Sequence, residues 1–153
     1  MANSTYNNQR RNSAAQQRNG GQAKPRIVYE SLNDANYVDR AEKVIKNLQN
    51  DRGKFDLTTT QIRNILAMLS QLYNEVIISN HDDLPANIVS QLQYLKVRLV
   101  YSAGRMDAVK QFIEQGYILE HLKEIGKNKE KFLLFCHYME ALVAYHRFYG
   151  GND

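Results

Sequence analysis

The stretch PANIVSQLQYLKVRLVYSAGRM, residues 85–106, decides the fold. Its apolar positions Ile88, Leu92, Leu95, Leu99, Ala103 and Met106 recur every three to four residues, the period of one buried helical stripe. Pro85 fits the first turn, where the N–H it lacks would be unpaired anyway. Gly104 is expected to break or kink this helix near its end.

The same period continues in both directions. Upstream, a cap signal at Thr58–Thr60 precedes Ile62, Ile65, Leu66, Leu69, Tyr73, Val76 and Ile77, a long second helix that stops near Asn80–Asp83. Before it, Tyr37, Ala41, Val44, Ile45 and Leu48 mark a first helix, ended by Asp51, Arg52 and Gly53. Downstream, one helix is expected from about Asp107 to Ile125 and another from about Lys129 to Tyr149, separated by Gly126, Lys127 and Asn128 and ended by Gly150 and Gly151. With no strand pattern and no internal repeat, the expectation is an all-α fold, a compact five-helix bundle.

The chain has 153 residues, a length that fits one core. Its formal charge is +4, but residues 1–26 hold five bases (Arg10, Arg11, Arg18, Lys24, Arg26) and no acid, leaving fifteen bases against sixteen acids beyond them. Residues 1–26 are expected to form a disordered basic arm, rich in Asn and Gln and too polar to offset the entropy of ordering; residues 27–153 form the bundle. The arm's composition is compatible with weak RNA contact and equally with a solubilising tail. The single cysteine, Cys136, excludes disulfides and cysteine-based zinc sites and points to a reducing cytoplasm. No apolar run is long enough to span a membrane, and none near the start serves as a secretory signal.

Because the bundle is nearly neutral, a nucleic-acid surface on it must be a local patch. At about 100° per residue, Tyr94, Arg98, Tyr101 and Arg105 share one side of the third helix, roughly 120° from its apolar stripe, with Lys96 on the opposite flank. Lys96–Arg105 holds three bases and no acid. Arginine's planar fork grips phosphate and tyrosine offers a stacking face, so the mixture matches a sugar-phosphate backbone; an ordinary solvated face has the same pattern. The last helix carries Phe132, Phe135, Met139, Leu142 and Val143 on one side and Tyr138, Ala141, Tyr145 and Tyr149 on another. Such a helix is either central or shows its second face to a partner, and the small size of the domain favours the partner.

Catalysis finds no support in the residue pattern. His81, His121, His137 and His146 lack metal-ligand spacing, and His137 with Glu140 has no third ligand. Cys136 and His137, adjacent on a helix, point about 100° apart and cannot meet as nucleophile and base. No glycine loop cradles phosphate, so no cofactor, no metal and no enzymatic activity are expected.

Three segments together, LTTTQIRN (57–64), LQYLKVRLVYSAGR (92–105) and FCHYMEALVAYHRFYGG (135–151), resemble the small subunit of the type III-A CRISPR effector, the Csm ribonucleoprotein complex. The resemblance covers about residues 55–151. It implies an all-helical, non-catalytic protein present in several copies beside the backbone subunits and the large signalling subunit, holding crRNA and target RNA without reading sequence. By that resemblance the RNA-binding positions are Arg63, Lys96, Arg98 and Arg105, with Gln61 and Tyr101 assisting, so that Arg63 joins the third helix in a two-helix surface. The basic arm matches nothing in the family pattern. The alternative is a helical protein–protein adaptor with no direct nucleic-acid role.

Overall fold

A computed structural model describes residues 24–153, and the first twenty-three residues of the expected arm lie outside the described residues. Six helices follow in order: α1 (Tyr37–Leu48), α2 (Thr59–Ile77), α3 (Ala86–Arg105), α4 (Asp107–Gln115), α5 (Ile118–Ile125) and α6 (Lys129–Phe148). The described residues contain no strand; a single bridge pairs Asp83 with Asn128 where the α2–α3 and α5–α6 loops meet.

The all-α expectation holds, with six helices where five were expected. The helix expected over residues 107–125 is two, because the chain breaks at Gly116 and Tyr117. Tyr117 adopts the left-handed conformation, φ 49°, which no helix can carry through. Its hydroxyl donates to the carbonyl of Ile27 at 2.7 Å, a tertiary contact that helps to hold this unfavourable backbone. Gly116 lies against the preceding turn, where a Cβ would stand 2.9 Å from the Phe112 carbonyl. Gly104, by contrast, does not break α3, which runs on to Arg105. The break comes one residue later at Met106, whose extended backbone (φ −137°, ψ 111°) is the whole joint between α3 and α4.

α6 is the centre of the bundle. It packs on α1 most extensively and also on α2 and α5, and it buries Phe132, Phe135, Cys136, Tyr138, Met139, Leu142 and His146. The expectation that its second aromatic side awaits a partner is corrected by α1, which covers that side. Tyr149 stacks on Tyr145 with 6.2 Å between ring centroids, donates to Glu42 of α1 and lies under the Lys46 ammonium, while Tyr37 approaches His137. Apolar residues on two faces of a helix thus meet two neighbours of the same chain.

α2 starts with a capping box: the Gln61 N–H donates to Thr58 Oγ1 at 3.2 Å, and the Thr58 N–H donates to Gln61 Oε1 at 2.9 Å. Residues 24–32, without helix or strand, lie across α1 and the α4–α5 break. Arg40 donates to the Val28 carbonyl at 2.9 Å, Tyr29 hydrogen-bonds Glu124, and the Tyr29 ring sits 5.3 Å from that of Tyr117 and 5.4 Å from that of His121.

Candidate nucleic-acid interface

α3 turns Ile88, Leu92, Leu95 and Leu99 into the core, and this fixes what faces outward. Tyr94 and Tyr101 are each 65% exposed, and Val97 and Val100 are 63% and 52% exposed. Arg98 and Arg105 flank them, both exposed, and the Arg105 guanidinium lies 5.6 Å from the Tyr101 ring centroid, a cation–π distance. All twenty residues of α3 include no acid. The stripe Tyr94, Arg98, Tyr101, Arg105 is therefore continuous, solvent-facing and positive, as the sequence indicates.

Its edge is formed by α2. Tyr94 and Arg98 line a shallow cleft of about 200 Å³ with Met68, Gln71 and Leu72. At the far end Gln61 Nε2 reaches Met106 Sδ at 3.2 Å, which brings the start of α2 beside the end of α3. The Gln61 side chain is thus already engaged, its oxygen in the α2 cap and its nitrogen with a weak thioether acceptor.

The other two expected positions lie off this stripe. Lys96 is about 200° around α3 from Arg98 at helical spacing, and it lines a separate cleft with Leu122, Lys123 and Gly126 at the α5 side. Arg63 is exposed, but it falls in register with Ser70 and Asn74, which line a cleft with Cys136 and Glu140 of α6. Residues on the α3 side of α2, such as Met68 and Gln71, are about 80–140° away from it. Arg63 and Arg98 therefore occupy opposite flanks of α2, and the expected two-helix surface divides into the α3 stripe and two basic points off it, Lys96 and Arg63.

Cys136 is buried, and burial pushes its thiol up to about 12, which favours the protonated thiol at neutral pH. His137 beside it is exposed and points elsewhere. Among the described residues no group of three His, Cys, Asp or Glu side chains could hold a metal ion, and no helix is long and apolar enough to cross a membrane.

Comparison with known proteins matches residues 31–152 to the family model Csm2 Type III-A. The chain is 50% identical over 123 residues to the CRISPR system Cms protein Csm2 of Streptococcus thermophilus, covering 80% of this chain and 98% of that protein. It is 44% identical over 117 residues to the protein of the same name from Mycobacterium tuberculosis H37Rv, covering 76% and 94%. To that of Enterococcus italicus it is 34% identical over 128 residues, covering 78% and 91%.

Proposed function

The chain belongs to the Csm2 family of type III-A CRISPR systems, and from that membership we propose that it is a non-catalytic, RNA-binding small subunit of the interference complex. It holds the backbones of crRNA and target RNA in the cytoplasm without reading sequence. It packs against the backbone subunits, the large signalling subunit and copies of itself. The observation that carries this reading is the acid-free outward stripe of α3, where two exposed tyrosines alternate with Arg98 and Arg105. In this arrangement the guanidinium forks take phosphate oxygens and the rings lie against sugar or base faces, neither of which selects a sequence. Gln61 closes the far end, while Lys96 and Arg63 take phosphates on either side of the stripe.

The test is the salt dependence of single-stranded RNA binding. Each phosphate contact contributes about 0.7 to the slope of log affinity against log salt. Arg98→Ala and Arg105→Ala should each lower the slope by about that amount and weaken all RNA sequences alike. Unchanged slopes in both variants would overturn the reading. A second reading, a protein adaptor, draws on Val97 and Val100, which are exposed on the same face and have no phosphate chemistry. Charge reversal at Arg98 and Arg105 that leaves complex assembly and RNA retention intact would favour it.

A further inference from the structure

We propose that the cleft between residues 24–30 and α1 is a second nucleic-acid contact, one that takes the phosphate backbone of a single-stranded RNA segment separate from the α3 surface. The cleft has a volume of about 680 Å³ and is lined by Lys24, Arg26, Arg40, Lys43 and Lys46, with Glu30 as its one acid. Arg40 is neutralised by Glu30 at 3.1 Å, and Lys46 by Glu42 at 3.0 Å. Lys24, Arg26 and Lys43 form no ion pair among the described residues, and residues 1–23 contain no acid that could supply one. Lys24 is held in place by donating to the Asn47 carbonyl at 2.9 Å, at the end of α1. Three uncompensated cations therefore face one open cleft.

The preceding segment indicates the occupant. It adds Arg10, Arg11 and Arg18 and no acid, so its charge does not complement a positive cleft. Charges that continue into an Asn-, Gln- and Gly-rich stretch with one aromatic, Tyr6, follow a long flexible polyanion and supply no apolar anchors for a folded acidic partner. Val28, 77% exposed on the cleft wall, gives a base an apolar surface. The family match begins at residue 31, so Lys24, Arg26 and Val28 are features of this chain beyond it. The two surfaces also sit on different sides of the bundle: α1 packs on α6 and α4, whereas α3 packs on α4, α2 and α5.

The experiment uses the full chain, a 30-nucleotide single-stranded RNA and the double variant Arg26→Gln/Lys43→Gln, whose side chains make no hydrogen bond or ion pair within the described residues. Fluorescence anisotropy across a salt series should show the slope fall by about 1.4, so that between 50 and 200 mM salt the wild type loses roughly sevenfold more affinity than the variant. The loss should add to that of Arg98→Ala/Arg105→Ala. An unchanged slope with an unchanged Tm overturns the proposal. So does lost binding of poly-glutamate with RNA affinity intact, which would assign the cleft to an acidic protein segment. A fall at the cleft with no effect at α3 would leave this proposal standing and remove the other.

Discussion

His146 Nε2 lies 2.8 Å from the carbonyl oxygen of Leu57, and the main chain of Gly151 closes over the same ring. The Gly151 N–H donates back to the His146 carbonyl at 2.8 Å, and the Thr59 N–H donates to the Asn152 carbonyl at 2.8 Å, so the end of the chain is stitched beneath the start of α2. A Cβ at Gly151 would run into the imidazole. Gly151→Ala should therefore destabilise the fold by about 1–3 kcal/mol, the usual cost of forcing atoms into a packed site, read as a lower urea midpoint at unchanged slope.

A second buried imidazole makes stability depend on pH. His121 is 3% exposed, and neither ring nitrogen has a partner among the described residues; burial first, then the Arg40 charge, push its pKa from 6.5 to about 4, against the opposing pull of Glu124. Between those values the unfolded chain takes up a proton that the native state refuses, so stability falls as pH falls, by about 3 kcal/mol at pH 4. His121→Phe should flatten the profile over that range. Parallel profiles for variant and wild type would refute the assignment.

The capping box at α2 gives a third expectation. Gln61→Ala removes the acceptor of the Thr58 N–H and the contact with Met106, and should cost about 1 kcal/mol in urea unfolding. RNA affinity still missing after the fold is stabilised elsewhere measures the share of Gln61 in the RNA surface, which should be smaller than that of Arg98 because both ends of the Gln61 amide are already engaged.

Lys96 and Arg98 differ in what they can reach. They lie on opposite flanks of a helix about 10–12 Å wide, so one strand cannot easily run along both, while the wide minor groove of an A-form duplex presents a backbone on either side. Lys96→Ala should leave the salt slope for single-stranded RNA unchanged and lower that for a crRNA–target duplex by about one contact. Equal effects on both ligands would exclude this division.

Gly104 adds a fifth expectation. A Cβ there would meet nothing within 4 Å, and its φ is unexceptional, so Gly104→Ala should stabilise α3 by about 0.5–1 kcal/mol in thermal unfolding. The same methyl stands on the outward face beside Tyr101 and should weaken any partner that approaches the helix backbone.

What the sequence made readable was local. The stripes of α1, α2 and α3 and the box at Thr58 follow from spacing, and the α3 side of Tyr94, Arg98, Tyr101 and Arg105 follows from 100° per residue. The break between α4 and α5 has one sequence trace: the buried apolar side chains step by five from Ile113 to Ile118, across Gly116. Its cause, a tyrosine held left-handed by a contact with Ile27, is tertiary. Periodicity likewise cannot tell a face that awaits a partner from one that meets another helix of the chain, which is why α1 had to be seen to cover Tyr145 and Tyr149. Arg63 failed to join the α3 stripe for the same reason, since which flank of α2 meets α3 depends on packing. The cleft around Arg26 and Lys43 exists only because residues 24–30 lie back across α1.

That crossing segment divides the molecule into two tiers of protection. Residues 24–32 are fastened by a few hydrogen bonds and the Tyr29 ring, whereas α6 packs on α1, α2 and α5 and buries seven side chains in the core. Hydrogen exchange over residues 27–32 should run at the rate of local peeling, and that of α6 at the far slower rate of global unfolding. Tyr29, 5.4 Å from the His121 ring, makes the crossing segment part of the lid over that imidazole, so peeling without loss of the six helices should be enough to open His121 to water.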